Sequence, residues 1–144
     1  MDKFTSSSDM AQRLTEYHLA HRNLFKSLIK PGTMPLTQYH ILDMLSEKKN
    51  MRMGEISQLM SISRPNLTPL VDKLVNMNYV QRIPDNHDRR VTYITLTNDG
   101  LDALNAEHRA IESNVNDFLS RLSKEEYDRF FDALEIISLL AERM

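Results

Sequence analysis

The sequence predicts a mainly α chain that carries one small β-hairpin, and three observations predict it. Apolar residues recur at steps of three and four along most of the chain, the period of a helix with one buried face. Two β-rich runs, Tyr79–Ile83 and Val91–Leu96, flank a single polar stretch. A heptad seam then runs through the C-terminal third, as expected of a helix that packs on a partner helix. With 144 residues, 41% hydrophobic and 26% charged, the chain has the size and composition of one ordinary domain, or of one domain with an extra helical arm.

From about Met10 to Lys30, Leu14, Tyr17, Leu24, Phe25, Leu28 and Ile29 lie at helical spacing. Pro31-Gly32-Thr33-Met34-Pro35 ends that helix and turns the chain. A second helix, Leu36 to about Ser46, is expected to bury Tyr39, Ile41, Leu42 and Leu45, with Met51–Met53 a short extended piece after it. Gly54–Met60 reads as a short third helix and Ser61-Ile62-Ser63 as a tight turn, Ser63 standing where a helix cap belongs. The fourth helix, Arg64 to about Met77, places Leu67, Leu70, Val71, Leu74 and Val75 on one face. Two short helices joined by such a turn form a helix-turn-helix pattern, and the hairpin follows it directly. Thr97 is the expected N-cap of a long helix to about Leu122, whose seam is Leu101, Leu104, His108, Ile111, Val115, Phe118 and Leu122. Ser123 and Glu126 have the spacing of a capping box for the last helix, whose apolar face includes Phe130 and Phe131.

The absence of cysteine removes disulfides, thiolate metal ligands and thiol nucleophiles. Three glycines, Gly32, Gly54 and Gly100, permit neither a Walker loop nor a GxGxxG turn. Neither HExxH nor GxSxG occurs, so no catalytic constellation can be named and no cofactor is expected. The apolar stretches are too short to span a membrane, and the start lacks a signal peptide's basic head and apolar stretch; a cytoplasmic protein is expected. Charge is uneven: residues 1–96 carry 13 Lys and Arg against 9 Asp and Glu, a balance of +4, whereas residues 97–144 carry 5 against 11, a balance of −6. The two parts are therefore expected to face different partners.

A helix fits the major groove of B-DNA, and the second helix of a helix-turn-helix enters it N-terminus first. Here its leading turns offer Ser63, Arg64, Asn66 and Thr68, with Lys73 farther along as a backbone contact. Arg can read a guanine edge and Asn an adenine edge, while the hydroxyls suit phosphate oxygens. The hairpin adds Arg82, His87, Arg89 and Arg90, and narrow minor grooves attract inserted arginine. Asp88 is expected to hold Arg90 or the loop backbone in place rather than to face phosphates. Polar tips are common in hairpins, but a basic tip next to a helix-turn-helix is what nucleic-acid reading requires.

From Met51 to Gly100 the chain resembles the winged helix-turn-helix of the MarR family of bacterial transcription regulators. The resemblance rests on Gly54-Glu55-Ile56-Ser57-Gln58-Leu59-Met60, Ser63-Arg64-Pro65-Asn66-Leu67-Thr68, Leu70-Val71-Asp72-Lys73-Leu74, Asp88-Arg89-Arg90-Val91 and Leu96-Thr97-Asn98-Asp99-Gly100. It implies a homodimer with interlocking terminal helices, probing a palindromic operator in double-stranded DNA as a repressor, and a pocket for a small apolar or phenolic ligand that releases the DNA. The expected division is an N-terminal helix of the dimerisation arm at 1–35, the winged domain at 36–97, and C-terminal dimerisation helices at 98–144. Leu101, Leu104, Ile111, Val115, Phe118, Leu122, Phe130 and Phe131 are the expected dimer contacts. Pro69 departs from the family, where Arg or Lys often follows the recognition-helix Thr; either the helix bends there or its regular part starts near Thr68.

Two further readings attach to particular residues. His18, His21, His40 and His108, with Glu107 and Glu112, are candidates for a metal-responsive site of the N/O type, set against ordinary interface histidines. Met10, Met34, Met44, Phe25 and Tyr39 are candidates to line an apolar ligand cavity. A helical protein-interaction adaptor without DNA binding is the rival class; it accounts for the seam and leaves the arginines of the hairpin without a purpose.

Overall fold

The computed structural model describes residues 6–88 and 91–143. Its elements are α1 (Ser7–Leu28), α2 (Leu36–Lys48), β1 (Asn50–Arg52), α3 (Met53–Met60), α4 (Arg64–Asn76), β2 (Val80–Pro84), β3 (Thr92–Leu96), α5 (Asn98–Leu119) and α6 (Lys124–Ala141). They form two compact units, one of Lys30–Ile111 and one made of the chain up to Ile29 and from Glu112 onward. The mainly α class with a small hairpin is thus what the chain adopts.

The Lys30–Ile111 unit is built on a core to which each of its elements contributes. Ile41, Leu42 and Leu45 come from α2, Met51 from β1, and Ile56 from α3. Leu67, Val71 and Leu74 come from α4, Val80 and Ile94 from β2 and β3, and Leu104 from α5. The hairpin gains a third strand: the antiparallel sheet has the order β1-β3-β2, with Met51 opposite Ile94 and Arg82 opposite Ile94 on the other side. Three buried residues on one face, Met51, Ile94 opposite it and Val80 two residues before Arg82, turn that face of the sheet to the core.

The helix-turn-helix closes through local bonds. Ser61 takes a left-handed conformation (φ 52°), the Ile62 N–H donates to the Ser57 carbonyl, and the Ser57 hydroxyl donates to the Ile62 carbonyl at 2.6 Å. Ser63 occupies the N-cap position of α4, though its side chain makes no capping bond. At the other end of the sheet, Thr97 knots β3 to α5. Its hydroxyl donates to the Asn78 carbonyl at 2.6 Å and accepts from the Gly100 N–H at 3.0 Å. A Cβ on Gly100 would collide with the Tyr79 carbonyl, so only glycine lets the two backbones approach this closely. This is the physical content of the Leu-Thr-x-x-Gly element.

The compact unit extends beyond 36–97 at both ends, and one side chain shows why. Glu107, on α5, is buried, and its carboxylate accepts from the Gly32 N–H, from the Thr33 N–H at 3.2 Å and from the Thr33 hydroxyl at 2.7 Å. The loop before α2 is therefore tied to the first half of α5. The expectation that Leu104 is a dimer contact is corrected accordingly. Leu104 is 1% exposed in the core and Ile111 is partly buried against it, so Leu104 is taken up by its own unit, whereas Leu101 stays exposed.

In the other unit, Ser6 caps α1 by accepting from the Asp9 N–H at 3.2 Å. The capping box of α6 forms as its spacing predicts: Ser123 accepts from the Glu126 N–H, and Glu126 accepts from the Ser123 N–H at 2.9 Å. Phe118 meets Phe130 edge-on at 5.4 Å, and Phe130 meets Phe131 at 5.8 Å. His21, Leu24 and Phe25 of α1 face Phe130, Leu134 and Ile137 of α6 across a small apolar cleft. No residue of α6 is buried, and Ile136, Leu139 and Leu140 are each more than half exposed.

Candidate nucleic-acid interface

α4 divides cleanly by exposure. Leu67, Val71 and Leu74 are buried, while Ser63, Arg64, Asn66, Thr68 and Lys73 are exposed. The helix runs without interruption from Arg64 to Asn76 with Pro65 in its first turn and Pro69 inside it. Of the two expectations for Pro69, the late start near Thr68 is therefore corrected: buried Leu67 and Val71 hold the helical path across the missing N–H.

The exposed residues differ in how free they are to read a base. The Arg64 guanidinium lies back over Gly54, where a Cβ would sit 2.6 Å from Nη2; glycine makes room for it. The Thr68 hydroxyl donates to the Arg64 carbonyl at 2.9 Å, leaving only its acceptor capacity. Asn66 projects from the same turn of α4.

On the hairpin, Arg82 is half exposed and paired with Asp72 of α4 at 2.6 Å, tying β2 to the helix. His87 is exposed. Arg89 and Arg90 lie outside the described residues, and with them the expected bond from Asp88 to Arg90. The loop is organised by a residue that sequence reasoning passed over. The Asp85 carboxylate accepts from the Asp88 N–H at 2.9 Å and the His87 N–H at 2.8 Å. Those two bonds, first Asp88 and then His87, hold its pKa below the usual carboxylate value, and the Tyr93 hydroxyl also donates to it. Asp88 contributes its backbone, donating to Asp85 and accepting from the Val91 N–H at 2.8 Å. The missed signal is the spacing: an Asp two and three residues before the N–H groups it accepts is an Asx-turn pattern.

Arg52 was also missed. It is exposed at the end of β1, its Nη2 donates to the Tyr93 hydroxyl at 3.0 Å, and its guanidinium stands over the Tyr93 ring, 5.3 Å from the centroid.

Among the described residues no three His, Asp or Glu side chains are placed to hold a metal ion. His18 and His21 belong to one compact unit and His40 and His108 to the other. His21 stacks on Tyr17 at 5.9 Å, and His108 Nε2 lies 3.1 Å from an Asp43 carboxylate oxygen. Glu107 is committed to the loop before α2, and Glu112 is exposed. Met34 and Tyr39 fill the core with Met44 against it, while Met10 and Phe25 lie in the other compact unit.

A helix-turn-helix followed by a β-hairpin that pairs with a preceding strand in a three-stranded sheet defines the winged helix class. The MarR family model matches residues 34–92, and curated transcriptional regulators resemble the chain over most of its length. Among curated relatives, the HTH-type transcriptional regulator MhqR of Bacillus subtilis is 26% identical over 127 residues, 88% of this chain and 87% of that one. The homoprotocatechuate degradative operon repressor of Escherichia coli is 24% identical over 116 residues, 81% of this chain and 78% of that one. Among solved structures, the regulator BldR of Sulfolobus solfataricus shares the fold with a TM-score of 0.70 at 23% identity, each chain covered completely. A mutant of E. coli MarR complexed with operator DNA shares it with a TM-score of 0.65 at 18% identity, over 95% of this chain and 99% of that one. No helix among the described residues is long and apolar enough to cross a membrane.

Proposed function

We propose that the protein is a sequence-specific DNA-binding repressor that occupies a palindromic operator as a homodimer and is released by a small apolar or phenolic ligand. The observation that carries the DNA-binding reading is the set of exposed polar side chains of α4, Ser63, Asn66, Thr68 and Lys73, held in one compact unit with the wing. They have the chemistry for a major groove, and the wing strands stand beside them to reach the adjacent minor groove. Repression is supported by the names of relatives, one a degradative operon repressor and another the repressor MdtR of B. subtilis. The ligand reading is supported by the shared fold of a MepR-like protein complexed with pseudoligands.

The deciding experiment is selection of bound fragments from the source genome, followed by mobility shift at two salt concentrations. Enrichment of a palindromic sequence, bound tightly and steeply weakened by salt, is the expected result. A chain that retards no duplex at either salt concentration would overturn the reading.

A further inference from the structure

A cleft of about 260 Å³ lies between the start of the recognition helix and the base of the wing, lined by Arg52, Met53, Gly54, Arg64, Val91 and Thr92. Two arginines thus enter one small depression from two elements, Arg52 from β1 and Arg64 from α4. Both are exposed, and both have their heads placed by neighbours. Arg64 rests over Gly54, and Arg52 is fixed by the Tyr93 hydroxyl and ring. Tyr93 is in turn hydrogen-bonded to Asp85, so one chain of contacts runs from the wing loop to Arg52.

The acidic neighbours are already engaged. Asp85 accepts from two backbone N–H groups and from Tyr93, and Glu55 accepts the Arg52 N–H at 2.6 Å as it closes the first turn of α3. Neither lies within ion-pair distance of the Arg52 guanidinium, although both attract it from farther off.

Where a helix lies in the major groove and a wing reaches the adjacent minor groove, the strand that separates the two grooves has to pass between them. That is where this cleft opens. We infer that Arg52 and Arg64 together seat one phosphodiester group of that strand, with Tyr93 as the positioning residue for Arg52. The inference rests on the DNA-binding reading above and deepens it: these arginines fix register on the backbone, and base reading falls to other residues of α4. Guanidinium groups suit the task, since their planar donor forks match phosphate oxygens in pairs.

The test uses fluorescence anisotropy on the full chain with two probes, the selected operator fragment and a mixed-sequence duplex of the same length. Arg52→Gln and Arg64→Gln should each weaken both duplexes by the same factor. The double variant should flatten the slope of log affinity against log salt by about 0.9, the value for one phosphate. Its loss relative to the parent should then be about 3.5-fold greater at 50 mM than at 200 mM salt. Tyr93→Phe, which keeps charge and ring, should weaken both duplexes with the slope unchanged, and Arg52→Lys should keep the slope. A flattening of about 1.8 would put the arginines on separate phosphates, and an unchanged slope would put them on none. A changed base preference in either single variant would make that arginine a base reader. Any of these results overturns the shared seat, as does a Tyr93→Phe protein that binds like the parent. Parent protein that binds neither duplex would instead remove the DNA-binding reading beneath it.

Discussion

Two carboxylates, Glu107 and Asp85, do the most to set local geometry. Burial pushes the Glu107 carboxyl up. The hydrogen bonds from the Thr33 hydroxyl and from the Thr33, Gly32 and Met34 N–H groups outweigh burial and leave its pKa below the usual value. A lowered folded-state pKa means stability that is present above the unfolded value and lost as pH falls through the folded one. The parent should therefore lose this contribution only in acid, below the ordinary carboxylate range. Glu107→Ala leaves buried N–H donors without an acceptor and should destabilise by about 1–3 kcal/mol near neutral pH. Urea midpoints at neutral and acid pH check this: the gap between parent and variant should close as Glu107 protonates. For Asp85 the readout is local. Asp85→Ala should speed hydrogen exchange at the His87 and Asp88 amides. Equal exchange in the parent and Asp85→Ala would show that the loop holds itself.

At the scale of elements, the apolar periods of α2 to α4 and the β-branched run of β3 made the winged unit legible, because each element buries one face in a shared core. What stayed illegible depends on contacts between distant residues. Nothing around Glu107 announces that it ties Gly32 and Thr33, so the heptad pattern of α5 read as one continuous interface although Leu104 within it is core. Arg52 stood at a helix cap position and drew no notice as a cation, since its partner Tyr93 is distant in sequence. Pro69 was legible as a conflict but not in its outcome. It lies in a continuous helix whose buried face outweighs the lost bond, so Pro69→Ala should stabilise the protein by about 1–3 kcal/mol in thermal unfolding. Within the same helix, Asn66→Ala should relax the preference at one base position by about 1–3 kcal/mol, seen by competition among operator variants. Uniform loss across all variants would place Asn66 on the backbone.

The whole molecule poses the question of where the apolar surface of α6 goes. Single exposed apolar residues are ordinary, but Ile136, Leu139 and Leu140 crowd the end of one helix that buries no residue. The expected dimer contacts need revising at the same time. Leu104 is core, and Phe118 and Phe130 pack on each other within one chain, so charging Phe118 would damage the fold of the protomer before it tested assembly. Ile136 and Leu140 are better probes, being four residues apart on one face and 58% and 54% exposed. Ile136→Glu with Leu140→Glu should convert a dimer into monomers in sedimentation equilibrium. The winged unit, whose core contains neither residue, should melt as in the parent. DNA binding then separates assembly from recognition. A monomer keeps α4 and the wing but engages one half-site, so it should lose the advantage of joined sites, about 10²-fold or more, on the palindrome. On a single half-site duplex it should match the parent. A parent that sediments as a monomer would overturn the dimer, and a monomeric variant that keeps full operator affinity would show that each chain reads its DNA alone.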